Sequence, residues 1–445
     1  MLDIKLIRKN PEIVKADLEK RQDLEKIQWL EDLIQKDKEY RELLAEVEKL
    51  RSERNQITRQ IADAMKKGDK AKAEEYKKKA SEIPEKIKQA EAKMEELQEK
   101  VRFYLMRLPN ILHESVPFGK DENDNQVVRT WGKPKTKEDY GFELKSHVDL
   151  LPIIDGANIE KAADVSGARF YYLKNDLVLL DMALQRMAME LMVKKGFIPI
   201  YPPFMLKRKP YEGVTDLGTF EEALYKIEGE DLYLISTSEH PIAAMHMGEI
   251  IEEERLPLKY VGISACFRKE AGAHGKDTKG IFRVHQFNKI EQFVFCKPED
   301  SWKIHEELIR NAEEIFQKIE VPYRIVNICT GEIGIVAAKK YDLEAWMPAQ
   351  NTYREMISCS NCTSYQAIRL NIRYGKVGAE GKEYVHTLNS TAIATPRAIV
   401  AIMENHQDRD GSIIIPKAVV PYFGKERIEP VKENLETHYT YQNKE

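Results

Sequence analysis

From about residue 26 to residue 105 the chain sets apolar residues at intervals of three and four among lysines and glutamates. Tyr40, Leu43, Val47, Leu50, Arg54, Ile57, Ile61 and Ala64 form one such stripe. Tyr76, Ala80, Ile83, Ile87, Ala90, Met94, Leu97 and Val101 form a second. The spacing is that of a heptad seam, and "KKGDK" between the stripes supplies a glycine-bearing turn, so the two segments are predicted to fold back as an antiparallel two-helix coiled coil. At 1.5 Å rise per residue, roughly 35 to 40 residues per helix give an arm roughly 55 Å long. Pro84 is the one proline in this stretch. An interior proline costs about 3 kcal/mol or kinks the helix, and a bend is predicted there.

The pattern breaks after residue 106. "LPNILHESVPFGKDENDNQ" and "WGKPKTKEDYG" are rich in Pro, Gly, Asn and Asp, which reads as a connector over residues 111–140. The N-terminal domain is accordingly placed at residues 1–110, a globular domain at 141–425 and a tail at 426–445. The globular part opens with the helical "DLVLLDMALQRMAMELMVKKG", then "FIPIYPPFML", whose prolines suit an edge strand. Runs rich in β-branched and aromatic residues follow: "DLYLIST", "YVGISACF", "RVHQFNKIEQFVF", "YRIVNI", "YDLEAWM", "TYREMISCS" and "YQAIRLNIRY". Helical segments such as "EDSWKIHEELIRNAEEIFQKI" and "RAIVAIMENHQ" are interspersed. Strands and helices do not alternate regularly and no GxxxxGK[ST] is present, which argues against a parallel nucleotide-binding sheet. The predicted class is α+β, an antiparallel sheet flanked by helices, with the helical arm in front.

Composition narrows this picture. The 445 residues exceed one ordinary core and suggest two or three units. A net charge of -4 predicts no general attraction to polyanions, so any nucleic-acid contact has to use a local patch. No apolar run of about 18 residues occurs, and "MLDIKLIRKNPEIV" lacks an apolar signal core, so a cytosolic protein is expected. Five cysteines fit a reducing compartment. Cys359 and Cys362 form one CxxC; a structural zinc normally takes four ligands, and without a second such pair they read as two thiols on a turn.

Charge is spread unevenly along the arm. Residues 31–100 carry 18 basic and 18 acidic side chains, whereas residues 51–79 carry ten basic against five acidic. Arg51, Arg54, Arg59, Lys66, Lys67, Lys70 and Lys72 belong to this basic end. A solvated helix surface and a phosphate-binding tip both fit the charge.

The stretch "FRKEAGAHGKDTKGIFRVHQFNKIEQFVF" (267–295) places charges inside two strand-like runs. Side chains two apart share a strand face, so Arg268 and Glu270 share one if the strand stays extended, and Arg283, Phe287 and Glu291 share one at intervals of about 13 Å. Arginine matches phosphate oxygens, a ring stacks on a base, and a carboxylate holds an ammonium or hydroxyl. A floor for a nucleotide beside a small amino compound would look like this; so would cross-strand salt bridges on an exposed face.

"FRKE" followed by "RVHQF" resembles motif 2 of the class II aminoacyl-tRNA synthetases. The helical arm, "STSEH", "KKYDLEAWMPAQNTYREMISCSNCT" and "LNSTAIATPRAIVAIMENHQ" resemble the seryl-tRNA synthetases, over nearly the whole chain. The resemblance implies ATP-dependent activation of L-serine, Mg²⁺ as cofactor, transfer to tRNA(Ser) with tRNA(Sec) as an open second substrate, and a homodimer with Pro203 at its interface. It implies that Arg268 binds the α-phosphate and serine carboxylate, Glu270 the adenine amino group, and Arg283 the γ-phosphate. It also puts Phe287 under the adenine, Val284 beside the nucleotide and Arg397 opposite, the two arginines Arg268 and Arg397 being catalytic. Glu355 and Ser358 would hold magnesium. Thr237, Glu239, Glu291, Asn389 and Thr391 would hold serine. The basic tip would meet tRNA phosphates, and the loop "AGAHGKDTKG" would guide the tRNA 3′ end. Ser364, Ile368 and Pro396 depart from the family pattern without removing a ligand. Two other readings use parts of the same sequence: an amino-acid:carrier-protein ligase shares the catalytic motifs but lacks the arm, and a non-enzymatic coiled-coil RNA-binding scaffold explains the arm alone.

Overall fold

A computed structural model of the chain describes residues 1–270, 277, 279–376, 378 and 381–431, and leaves the side chains of residues 219 and 220 aside. Most of the loop assigned to guiding a tRNA end, and residues 432–445 of the tail, lie outside the described residues. The chain divides into two compact units, Met1–Ile111 and Leu112–Glu445.

The first unit is built on helices α1 (Leu24–Lys66) and α2 (Lys70–Leu105). Each start is capped by an aspartate: the Asp23 carboxylate accepts from the Lys26 N–H at 3.1 Å, and Asp69 from that of Lys72 at 3.1 Å. Gly68, at φ +75°, makes the turn between them. Val47, Ile57, Ile83, Ile87 and Ala90 are buried in the seam, with Leu43, Leu50, Ile61, Tyr76, Ala80 and Met94 packed around them. The helix continues through Pro84 without a break. Arg54, which spacing puts in the stripe, is exposed, because a guanidinium without a buried partner stays in water and only its stem can lie along the seam. Arg51, Arg59, Lys66, Lys67, Lys70 and Lys72 are exposed too.

The second unit holds an eight-stranded sheet. In chain order its strands are β1 (Gln126–Trp131), β2 (Ile198–Ile200), β3 (Leu258–Phe267), β4 (Gln286–Cys296), β5 (Tyr323–Asn327), β6 (Lys339–Met347), β7 (Thr352–Asn361) and β8 (His386–Ala394). They lie in the order β1-β5-β6-β7-β8-β4-β3-β2. All pairings are antiparallel except β2 with β3, so the proline-bearing β2 takes an edge as its sequence suggests. Helices α3 (Asn175–Lys194), α5 (Ser301–Lys318) and α7 (Thr395–Asn405) bury apolar faces in a core with the sheet, including Leu184, Leu308, Ile309, Ile399, Val294 and Leu343.

Three segments depart from the pattern reading. Residues 126–131 sit inside the supposed connector, yet "QVVRTW" forms β1, and Leu112 and Val116 pack on Val326 and Ile328; the polar flanks hid a short β-branched run. "YQAIRLNIRY" divides into a helix α6 (Tyr365–Leu370) and a strand at Arg373–Gly375. Its alternating Ile368, Leu370, Ile372 and Tyr374 mimic a strand, but Asn371 in the left-handed region (φ 54°) ends a helical turn there. Cys359 stands inside β7, not on a turn. At the C-terminus, Arg427–Ile428 still pairs with Ile413–Ile414.

Candidate active site

β3 and β4 form the hairpin that the charges marked, with Gly262 opposite Glu291 and Cys266 opposite Phe287. The ladder is shorter than parity requires. β3 ends at Phe267, Glu270 has a left-handed φ of 51°, and Arg283 precedes β4 by three residues. Strand alternation therefore places Phe287 and Glu291 but neither the Arg268/Glu270 pair nor Arg283. Those three are brought in by contacts instead. Arg283 Nη1 donates to Glu270 Oε2 at 3.2 Å, and the Arg268 guanidinium lies 5.2 Å from the Phe287 ring centre, a cation–π distance.

A cavity of about 450 Å³ opens over this floor. Thr237, Glu239, Arg268, Phe287, Glu291, Glu355, Ser358, Asn389, Thr391 and Arg397 all line it. Glu270, Arg283 and Val284 line a small adjoining pocket together with Arg268, Phe287 and Arg397. The residues that motif resemblance picked from five separate stretches thus surround one space.

At one end of the cavity the groups are small, polar and buried. Glu291 is 1% exposed, and its Oε2 meets Lys289 Nζ at 2.6 Å and accepts from the Thr391 hydroxyl at 3.0 Å. Thr391 lies opposite Glu291 in the β8–β4 register. Glu239 opens helix α4 (Glu239–Ala244) and accepts from Gln366 Nε2 at 3.0 Å and Asn389 Nδ2 at 3.1 Å. Burial, with the nearby Glu291 carboxylate adding to it, pushes Glu239 up to about 7. Thr237 turns into this helix, its hydroxyl accepting from the Glu239 N–H at 3.2 Å. Gly262 lets the turn approach β3: a Cβ there would stand 2.5 Å from Ser238 Oγ and 2.7 Å from Ile242 Cδ1. Sequence reasoning missed Lys289 and Gln366. Lys289 was findable, since it is two residues from Glu291 in a strand otherwise rich in apolar residues.

At the other end the groups are charged and face the cleft. Arg397, in the first turn of α7 after Pro396, donates from Nη1 to the Glu355 carbonyl at 3.0 Å and stands 3.6 Å from its carboxylate. The enclosing walls push the Glu355 carboxyl up, but Arg397 and then Lys340 outweigh them and hold it below the usual range. Glu355 and Ser358 are three apart, a spacing that puts side chains on opposite faces of a regular strand. Here Leu343 pairs with Ile357 and Glu344 with Glu355, so Met356 is an extra residue, a β-bulge that returns Glu355 to the Ser358 side. A second bulge, at Ala392, does the same for Thr391 and Ala394 on β8. Asp342 lies opposite Ser358 in the β6–β7 register; it is buried, and its Oδ1 has no hydrogen-bond partner among the described residues. Burial lifts Asp342 to about 7 against the pull of Lys340. The Glu355 carboxylate and the Ser358 hydroxyl, both lining the cavity, are hard oxygen donors of the kind a small divalent cation takes. Cys362 also lines the cavity, with its Sγ 3.8 Å from Asn389 Nδ2. Burial pushes both CxxC thiols well up, which marks them as inert.

Known proteins share both units. The family model described as "tRNA synthetase class II core domain (G, H, P, S and T)" matches residues 220–406, and that of the "Seryl-tRNA synthetase N-terminal domain" matches residues 1–112. A serine–tRNA ligase of Methanocella arvoryzae is 59% identical, covering 95% of this chain and 98% of its own. The crystal structure of seryl-tRNA synthetase from Pyrococcus horikoshii complexed with ATP superposes with a TM-score of 0.92 at 54% identity, over 97% of this chain and 100% of that one. The cytoplasmic serine–tRNA ligase of Naegleria fowleri, solved with AMP, gives 0.88 at 38% identity over 97% and 99%. With both units matched and these identities sustained over nearly its full length, the chain belongs to the seryl-tRNA synthetase family of class II aminoacyl-tRNA synthetases.

Proposed function

We propose that this protein activates L-serine with ATP and transfers it to the 3′ end of tRNA(Ser). The observation that carries the reading is the buried set Glu291, Thr391 and Lys289 at the small end of the cavity, beside an end lined by the Arg268 and Arg397 guanidiniums. In step one a serine carboxylate oxygen attacks the α-phosphorus, the bond to the β-phosphate breaks, and pyrophosphate leaves. In step two the tRNA 3′-terminal hydroxyl attacks the seryl carbonyl and AMP leaves.

Positioning and electrostatics supply the rate, without a side-chain nucleophile. Arg268 spans the meeting point of the two anions, holding the serine carboxylate and the α-phosphate. Arg397 faces it, Arg283 takes the γ-phosphate, and the adenine lies on Phe287 with Glu270 and Val284 at its edge. Glu291 and Thr237 hold the ammonium, while Glu291 and Thr391, with Asn389, read the hydroxyl. Glu239 backs Asn389 from beneath. Alanine or glycine would leave these buried groups unpaired at about 1 to 3 kcal/mol each, which discriminates against them. Glu355 and Ser358 would hold Mg²⁺, which when bound neutralises phosphate charge.

The exposed basic residues around the turn between α1 and α2 are proposed to contact tRNA phosphates. Val178, Leu179 and Met182 on α3, with Ile198 and Tyr201 on and after β2, are exposed apolar side chains near the sheet edge; they support a homodimer formed along that edge, with Pro203 in it. A cytoplasmic location is proposed on the same family grounds, and no helix among the described residues is long and apolar enough to cross a membrane. The test is amino-acid-dependent pyrophosphate exchange with all twenty amino acids, with and without tRNA. Exchange with serine alone, followed by charging of tRNA(Ser), is the expected result, and exchange with another amino acid would overturn the reading.

A further inference from the structure

His285 of "RVHQF" has no part in the roles assigned so far, yet it holds Arg268 on both sides of one residue. The Arg268 N–H donates to the His285 carbonyl at 2.9 Å, and His285 Nδ1 lies 2.6 Å from the Arg268 carbonyl oxygen. A carbonyl oxygen only accepts, so Nδ1 carries the proton and the ring is fixed in one tautomer on that side. The Tyr225 hydroxyl stands 3.0 Å from the same nitrogen. The imidazole stacks on Phe170, 5.1 Å between centres at 29°, and the His285 N–H donates to the Arg169 carbonyl at 3.1 Å. These contacts come from segments distant in sequence and converge on one residue, three of them on its ring.

The need for such a clamp follows from the hairpin. Arg268 is the first residue past β3, where the regular ladder has ended, and Glu270 two residues on is left-handed. Past the ladder single contacts hold this stretch: the Lys269 N–H donates to the Ala223 carbonyl at 2.9 Å and Arg268 Nε to the Ser236 carbonyl at 3.4 Å. We infer that His285 is a positioning residue for Arg268: its Nδ1–H fixes the Arg268 carbonyl and, together with the Ser236 carbonyl that accepts from Nε, sets where the guanidinium stands over Phe287 and the reacting phosphate. The inference rests on the role proposed above for Arg268.

Three replacements separate the hydrogen bond from the ring. His285→Asn keeps an N–H donor near the position of Nδ1 and loses the stack; His285→Phe keeps the stack and loses the donor; His285→Gln puts its amide nearer the position of Nε2. In serine-dependent pyrophosphate exchange by the full-length protein, Phe and Gln are expected to lower kcat roughly tenfold, with KM for ATP little changed, while Asn stays within roughly threefold of the parent. Thermal melting of each variant reports folding. Equal losses in Asn and Phe, full activity in Phe, or restoration by Gln would each overturn the inference, and the Asn–Gln contrast decides it even if Phe does not fold. Arg268→Ala is the control: if it keeps exchange activity, the reading of Arg268 itself fails, whereas an inactive Arg268→Ala beside a fully active His285→Phe removes only the clamp.

Discussion

The exposed arm and the buried end of the cavity use the same charged side chains in opposite ways. On the helical unit, Arg51 meets Glu91 at 2.7 Å with the two side chains 56% and 47% exposed. In the sheet unit, Lys289 meets Glu291 at 2.6 Å with 6% and 2% exposed. Nearly equal distances carry different energies, because water screens the first pair and is excluded from the second. An exposed pair contributes about 0 to 1 kcal/mol, whereas removing one partner of a buried pair costs about 3 to 5 kcal/mol. The exposed pairs along the arm can therefore change at little cost, whereas the buried Lys289–Glu291 pair depends on both partners, as does the buried Arg21–Asp17 pair of the helical unit, at 2.9 Å with 7% and 6% exposed.

The largest test of this contrast deletes residues 36–100. Aminoacylation of tRNA(Ser) is expected to fall below detection, while serine-dependent pyrophosphate exchange stays within a few-fold of the parent; equal loss of both would erase the distinction between the units. Next comes Glu291→Ala. Breaking the buried set should lower kcat/KM for serine by about 10²-fold or more and leave KM for ATP nearly unchanged, measured by exchange at varied serine and ATP. A collapse of ATP affinity instead would remove Glu291 from the serine end.

A smaller effect concerns pH. Glu239 sits at about 7 in the fold, raised by burial and then by Glu291, while an unfolded glutamate titrates near about 4.3. Between those values the folded chain keeps a proton that the unfolded chain has released, so this group's contribution to stability declines as pH rises through that window. Glu239→Gln is expected to flatten that decline, read as the difference in melting temperature between parent and variant from pH 4.5 to 7. Parallel curves would place Glu239 in water. The smallest effect is Arg51→Ala, which should cost at most about 1 kcal/mol by thermal or denaturant unfolding. A loss as large as that for a buried pair would contradict the screening argument.

Legibility followed the same division. The helical unit could be read from spacing because a 3,4 repeat and a glycine turn are local signals, and Arg54 alone was placed on the wrong side. In the sheet unit, long runs such as "YVGISACF" gave their strands, and "RVHQFNKIEQFVF" gave β4 from Gln286 on. What failed depended on partners distant in sequence. Glu270 and Arg283 reach the site through their mutual contact and not through strand parity. Lys289 and Gln366 are explained only by the carboxylates they face. The helical form of "YQAIRL" buries Gln366, whose side-chain oxygen accepts from the Thr387 hydroxyl at 2.7 Å and whose Nε2 donates to Glu239.

The extra residue in β7 has a meaning for how such a chain can change over time. Substitutions at Met356 alter packing and little else, since the backbone still makes its detour. Loss of that one codon would leave Glu355 and Ser358 two apart on a regular strand, a spacing that keeps both on one face, whereas ironing out the bulge with Met356 still in place would turn Glu355 to the far side. The strand thus tolerates a changed or a dropped letter at Met356, provided that the ladder on either side keeps its register.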